Sequence, residues 1–207
     1  MAAKRQRSQN ALALAVLALL FERPMHPYEM AATLRERHKE ESIKLRYGSL
    51  YTVVEQLQRD GLIAPQETSR EGRRPERTVY TLTDAGQTEL VAWLSDLLRR
   101  PVKEYPHFMA ALSLLPVLPP ATVETLLRER LGHLDLAITT RRGAHVGLLQ
   151  SGLPPLFLIE DDYEIALMEA EHRFVEALVQ RIANDPAELA LIWPDVHAKR
   201  ATTENLP

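Results

Sequence analysis

The segment from residue 62 to residue 86 constrains the fold most, because it carries two strand patterns in a chain whose other segments have helical periodicity. The run LIAPQET at 62–68 is compatible with a first strand, and Pro65 restricts part of it to a sheet edge or a bulge. The run TVYTLT at 78–83 alternates in the manner of a second strand. The residues between them, SREGRRPER, are rich in arginine. We therefore predict a two-stranded hairpin with a basic tip.

Two helices are predicted at the start of the chain. The apolar run ALALAVLALLF at 11–21 forms the first, with Ser8 or Asn10 as its N-cap. Basic residues precede this run, so it also has the look of a secretory signal. No small-residue cleavage site follows and the run is too short to span a bilayer, which favours a buried helix of a cytoplasmic protein that has no membrane partner. The second helix opens at Pro27, because proline suits the first helical position.

A third helix is predicted from about Ser49 to Asp60, ended by a glycine that follows it. At about 100° per residue its apolar side chains lie on one side. The opposite side carries Ser49, Thr52, Gln56 and Arg59. Hydroxyl, amide and guanidinium groups bear the donors and acceptors that contact phosphates and base edges. The solvated face of an ordinary helix has a similar composition, so this stripe alone favours DNA binding only weakly.

The rest of the chain is predicted to be helical. A fourth helix follows the hairpin, with Thr83 or Asp84 as its N-cap. Its apolar residues are spaced for packing, and they are Leu90, Trp93, Leu94, Leu97 and Leu98. A short helix near 108–115 precedes two long helices, at about 121–150 and 159–183, joined by a turn at SGLPP. Two such helices form an antiparallel hairpin whose outward leucines need a partner, from this chain or from a second subunit.

These elements predict a mainly α-helical protein with two domains. Residues 1–103 form a winged helix-turn-helix domain, in which helices are combined with a two-stranded β wing, and residues 104–207 form an all-helical domain. The first 103 residues contain 17 Lys and Arg against 13 Asp and Glu, a net charge of +4, and the remaining residues have a net charge of −7. This asymmetry suggests that only the N-terminal half faces a polyanion.

No pattern in the sequence indicates catalysis or metal binding. The chain has no cysteine, which excludes disulfides and thiolate metal sites. Its histidines lack the spacing of a zinc site, and neither a glycine-rich phosphate loop nor a nucleophile elbow is present. Asp161 and Asp162 look like a paired carboxylate, but acidic residues also suit the start of a helix. We expect no enzyme activity, no catalytic residue, no metal and no cofactor.

Two motifs resemble the PadR family of bacterial transcriptional regulators. RYGSLYTVVEQLQRDGLI at 46–63 is similar to the family's recognition helix, and EGRRPERTVYTLTDAG at 71–86 is similar to its wing and the helix start that follows. The resemblance covers roughly residues 10–100. The chain departs from the family's pattern at HPYEM, residues 26–30, where relatives usually have Gly-Tyr.

The resemblance implies a homodimeric repressor. Two winged domains would bind a pseudo-palindromic operator in double-stranded DNA, and the C-terminal helices together with the first helix would form the dimer. The resemblance also implies a small aromatic effector bound near the dimer interface. By the same resemblance Trp93 could line an aromatic pocket there, although plain packing of this side chain is the favoured interpretation.

The strongest candidates for DNA contact are Arg73, Arg74 and Arg77 on the wing tip. Their guanidinium groups suit phosphate contact, and the alternative is a loop that is merely solvated. The other candidates lie in or just before the helix-turn-helix, and they are Tyr28, Lys44, Arg46, Tyr47, Ser49, Tyr51, Thr52 and Gln56. For the tyrosines at 28 and 51 the alternative is packing against the core.

A second class of function stays open at this point. A winged helix can also serve as a protein-interaction module without DNA binding. The basic wing favours a DNA-binding regulator, because an adapter has no need of three arginines on a Gly/Pro tip.

Overall fold

The structure, a computed structural model, describes residues 10–40, 42–43, 47–69 and 77–184. It divides into two compact units, Met1–Lys103 and Glu104–Pro207. The described part of the first unit contains the helices α1 (Ala11–Glu22), α2 (Pro27–Glu36), α3 (Tyr47–Arg59) and α4 (Asp84–Arg99), with the strands β1 (Ile63–Ser69) and β2 (Arg77–Leu82) between α3 and α4. That of the second unit contains α5 (His107–Ser113), α6 (Pro120–Gln150) and α7 (Ile159–Asn184). Helices with a two-stranded wing, followed by long helices, confirm the predicted fold class.

The first two helices begin at residues that cap them. Asn10 is the cap of α1 and its side chain accepts a hydrogen bond from the backbone N–H of Ala13 at 3.3 Å. His26 caps α2, where its Nδ1 accepts the backbone N–H of Tyr28 at 3.0 Å. The Glu29 carboxylate accepts the backbone N–H of His26 in return, at 3.2 Å. The departure from the family pattern at 26–30 therefore forms a complete capping box ahead of Pro27.

The wing is an antiparallel hairpin of β1 and β2. Its register shifts between Pro65 and Glu67, which confirms the predicted irregularity at the proline. The other edge of β2 is also partly used, because Met25 exchanges two backbone hydrogen bonds with Tyr80, at 3.1 and 3.0 Å. Sequence periodicity does not predict this bridge, since a single paired residue has no repeat. The bridge ties the α1–α2 connection to the wing.

The core of the first unit is built around α1, which is apolar on nearly every side. Val16 and Leu17 of α1 are fully buried, as are Met30 of α2 and Leu50 of α3. Such a helix has little amphipathic character and is suited to the interior. No helix among the described residues combines the length and the apolar character needed to cross a membrane.

Two of the five apolar residues of α4 that are spaced for packing are buried in this unit, and three are exposed. Leu90 and Trp93 are buried in the core of the first unit, as predicted. Leu94, Leu97 and Leu98 are exposed, the last to 82%. An apolar stripe shows which side chains could pack against a partner. The core of this unit covers only part of the circumference of α4, so the rest of the stripe is exposed.

The second unit is dominated by the α6–α7 hairpin. α6 runs for 31 residues without a break through the glycines at 143 and 147, about 46 Å at the usual rise. Gly152 provides the turn, with a backbone φ of +90° that favours glycine. A compact cluster buries one end of the hairpin, and its members are Val123, Leu127, Val175, Leu178, Val179 and Ile182.

Contacts between charged and polar side chains join the remainder of α6 and α7. Arg130 Nε donates to Glu171 at 2.6 Å, and His172 Nε2 lies 3.0 Å from an Asp135 carboxylate oxygen. The suspected carboxylate pair belongs to the same set. Asp161 lies 3.3 Å from the guanidinium of Arg141, and Asp162 lies beside His145 at 3.6 Å. The two aspartates thus have a structural explanation in the pairing of the helices.

Candidate nucleic-acid interface

α3 is held in place at its C-terminal end by a glycine motif. Gly61 has a backbone φ of +70°, its N–H donates to the Gln58 carbonyl at 3.0 Å, and the N–H of Leu62 donates to the Leu57 carbonyl at 2.9 Å. These two bonds satisfy carbonyls that the helix end would otherwise leave free. The helix begins at Tyr47, two residues before the predicted start. Its apolar side is buried as predicted, through Leu50, Val53, Val54 and Leu57.

The outer face of α3, which we define as Ser49, Thr52, Gln56 and Arg59, is exposed throughout. Tyr51 borders this face and is 45% exposed, so a position at the edge of the core and contact with DNA both stay open for it. The Thr52 hydroxyl donates its hydrogen to the Gly48 carbonyl at 3.0 Å, which leaves its oxygen as an acceptor toward solvent. The outer face therefore presents short polar groups on a helix whose opposite side is fixed in a core.

Tyr28 lies in the first turn of α2 and is 64% exposed. Its predicted alternative role in packing is wrong within this unit, because the buried side of α2 is formed by Met30, Ala31 and Leu34. The turn itself is braced by Arg23, whose guanidinium lies 3.0 Å from the Glu29 carboxylate. An exposed phenol on a braced first turn is available for contact with a ligand or a backbone phosphate.

Charge pairs hold both ends of α2. The Arg37 guanidinium donates two hydrogen bonds to Glu22 of α1, at 2.6 and 2.8 Å, and these lower the pKa of the Glu22 carboxyl. At the other end the backbone N–H of His26 lowers the pKa of Glu29, and Arg23 adds to the effect. Both pairs are solvent-exposed, so each contributes modestly to stability. Their effect is to fix α2 against the end of α1.

Hydrogen bonds of Thr83, which we call the Thr83 lock, join the end of α3 to the start of α4, and the sequence pattern does not predict them. The Thr83 hydroxyl accepts the backbone N–H of Gly86 at 3.0 Å as the N-cap of α4. The same hydroxyl lies 2.8 Å from the Gly61 carbonyl and 3.0 Å from that of Leu62, and it donates to them. A Cβ built on Gly86 would lie 2.0 Å from the Leu62 carbonyl oxygen. The Thr-Asp-Ala-Gly run is the signal in the sequence, although as a pattern it predicts only the start of a helix.

Several predicted residues lie partly or wholly outside the described part of the chain. Lys44, Arg46, Arg73 and Arg74 fall in the segments that the structure does not describe. Tyr47 and Arg77 are the first residues of α3 and β2, and only their backbone is described. Contact of these residues with DNA stays a prediction.

Trp93 packs within the first unit. It is buried in the core cluster that α1, α2, α3 and α4 share. Its indole N–H is buried and has no hydrogen-bond partner among the described residues. Packing in this core agrees with the favoured interpretation, and a role in a ligand pocket stays a prediction.

Solved structures share this fold. Bacillus subtilis PadR in complex with operator DNA is 21% identical in sequence, with a TM-score of 0.63 over 84% of this chain and 98% of that chain. The same protein in complex with p-coumaric acid is 18% identical, with a TM-score of 0.67 over 84% and 99% of the two chains. A PadR-like transcriptional regulator from Bacillus cereus is 16% identical, with a TM-score of 0.54 over 83% and 98%. No curated protein matches the sequence significantly.

The family comparison agrees with the architecture. Residues 16–92 match the Transcriptional regulator PadR-like family, a segment that runs from within α1 through the wing and into α4. The family is one of regulators and not of enzymes. Residues 16–92 thus form a domain of the PadR-like family of transcriptional regulators.

Proposed function

We propose that this chain is a homodimeric repressor that binds an operator in double-stranded DNA. In each subunit α3 enters the major groove, and the wing tip at residues 70–77 contacts the phosphate backbone or the minor groove. The observation that carries the proposal is the outer face of α3. It is polar and exposed along the whole helix, while the opposite side is buried and the C-terminal end is joined to the start of α4 through Thr83.

Rigidity at this helix supports recognition of DNA. Base edges are distinguished by hydrogen bonds whose donors and acceptors must be placed to within a fraction of an ångström. The Thr83 lock and the Gly61 motif fix α3 from one end, and the buried side fixes its rotation. A protein-interaction surface more often contains large apolar or aromatic anchors, which the outer face of α3 lacks.

The second unit supports a dimer. Large apolar side chains remain exposed along its helices, and they include Leu126, Leu136, Val146, Phe157, Ile159, Tyr163, Leu167 and Phe174. A second copy of residues 104–207 would bury them in a symmetric interface. The first helix offers less apolar surface, because Phe21, at 57% exposure, is the only large hydrophobic side chain of α1 that is exposed. The proposal therefore gives the greater share of the dimer interface to the C-terminal helices.

The proposal includes an effector and a location. Bacillus subtilis PadR, which shares the fold, binds p-coumaric acid. A small aromatic effector is accordingly proposed for this chain, with Trp93 as the residue predicted to line its pocket. A regulator of bacterial transcription works where the DNA is, so the cytoplasm is the proposed location.

A salt series of mobility shifts tests the DNA contact of the wing. The fragment is the DNA upstream of the gene for this protein, and the variant is Arg74→Ala in the full-length chain. If each wing places this arginine on one phosphate, the slope of log K against log salt should flatten by about 2 per dimer. Arg99→Ala is the matched control, because it removes the same charge from the exposed last turn of α4.

The possible results separate the alternatives. A flattened slope for Arg74→Ala, with an unchanged slope for Arg99→Ala, supports the wing contact. An unchanged slope for both variants removes Arg74 from the contacts. Wild-type protein that shifts no genomic fragment would instead favour the protein-interaction module without DNA binding.

A further inference from the structure

Arg59 and Gln56 form a hydrogen-bonded pair on the outer face of α3. Arg59 Nη2 donates to Gln56 Oε1 at 2.9 Å, one helical turn apart, and both residues are exposed. Arg59 lies on the polar stripe predicted for this helix but is not among the residues predicted to contact DNA. No acidic side chain is described as a partner of Arg59, so the amide is its observed acceptor within the part of the chain that the structure describes.

The chemistry of arginine fixes how the Gln56 amide is turned. A guanidinium carries only donors, so the atom of the amide that faces it must be the oxygen. The bond is assisted by the positive charge of Arg59, which makes it stronger than a bond between neutral groups. The Nε2 group of Gln56 is consequently turned away from Arg59, and its hydrogens are free to donate.

We propose that Arg59 is a positioning residue that orients the amide of Gln56 and so makes this position of α3 select guanine. The inference rests on the proposed function, in which α3 lies in the major groove. An unrestrained glutamine pairs best with adenine, by accepting from N6 and donating to N7. With Oε1 engaged by Arg59, Gln56 is biased toward donation. Guanine presents two adjacent acceptors in the major groove, N7 and O6, whereas adenine presents one acceptor beside a donor.

Selection from a randomised duplex library tests the inference with the full-length chain. Wild-type protein should enrich guanine at one position in each half-site. Arg59→Met removes the donor but keeps a long side chain of good helix propensity, and it should lose this guanine preference by about tenfold and gain adenine. Arg59→Lys can still donate to Oε1 and should retain guanine. Gln56→Glu presents an acceptor to the groove and should shift the preference to cytosine.

A modified base gives a second measurement on the selected site. Replacing the selected guanine with 7-deazaguanine removes the N7 acceptor, and wild-type affinity should fall by about tenfold. The same replacement should have little effect on Arg59→Met, because its amide is no longer held toward that base. Arg99→Met is the matched control and should select the wild-type sequence. Thermal unfolding of each variant checks that an exposed substitution has left the fold intact.

Two results would overturn the inference alone. One is an Arg59→Met variant that enriches guanine as strongly as wild type. The other is an Arg59→Met variant that loses affinity equally for all sequences with a flatter salt slope, which would make Arg59 a phosphate contact. Wild-type protein that enriches no sequence at all would overturn the proposed function, and this inference with it.

Discussion

Replacing Gly86 with alanine is expected to lower the free energy of unfolding of the first unit by about 3 kcal/mol. The new Cβ would lie 2.0 Å from the carbonyl oxygen of Leu62 and 2.9 Å from its carbonyl carbon. Backbone atoms cannot turn aside as the end of a side chain can. That carbonyl is also held in place, because it accepts the backbone N–H of Thr83 at 3.1 Å. Relief of the clash requires α4 to move away from the end of α3.

Urea unfolding of the full-length chain, followed by circular dichroism, measures this effect. Gly143→Ala is the matched control, because a Cβ at Gly143 in α6 would have nothing within 4 Å. Alanine favours a helix over glycine, so this control should raise stability, by up to about 1 kcal/mol. If Gly86→Ala unfolds at the same urea concentration as wild type, the close contact between α4 and Leu62 is wrong.

Deleting residues 104–207 is expected to give a folded monomer that binds a two-half-site operator about 100- to 10,000-fold more weakly. The first unit keeps a core of its own, since its cluster of buried side chains comes entirely from α1 to α4 and the adjoining wing. The deletion removes the link between two such units. The affinity gained by binding both half-sites at once is therefore lost. Light scattering measures the mass, and fluorescence anisotropy with labelled operator measures the affinity.

The full-length chain and a single half-site provide the controls for this deletion. Both proteins should bind a single half-site with similar affinity, because that contact uses one winged unit. A truncated protein that remains a stable dimer would place the interface in the first unit, with α1 as the first candidate. A monomer that binds the two-half-site operator as tightly as the full chain would show that dimerisation does not contribute to binding.

Helix boundaries could be predicted well because single residues determine them. Asn10 caps α1, Pro27 opens α2, Gly61 ends α3 and Thr83 caps α4, each by a local interaction that the residue type itself suggests. Contacts between elements far apart in the sequence could not be predicted in this way. The Met25 bridge to β2 and the close approach of Gly86 to Leu62 depend on segments far apart in sequence, which no periodicity relates.

Apolar patterns predicted burial only where a partner exists in the same unit. Leu90 and Trp93 of α4 are buried, whereas Leu94 and Leu98 have the same helical spacing and are exposed. For the candidate site the pattern was more informative, because the polar stripe of α3 is indeed its exposed face. The hydrogen bond between Arg59 and Gln56 could not be predicted from this pattern, because a polar stripe gives the position of side chains and not the direction of their hydrogen bonds.

A footprint of the DNA upstream of the gene tests most directly whether the outer face of α3 reads an operator. The proteins are the full-length wild type and the double variant Thr52→Ala/Gln56→Ala, whose exposed substitutions leave the core untouched. Wild type should protect two half-sites about 34–36 Å apart, or a multiple of that spacing. The variant, unfolding at the same temperature, should lose this protection at equal concentration. Equal protection by both proteins, or no protected segment with wild type, would contradict recognition of DNA by α3.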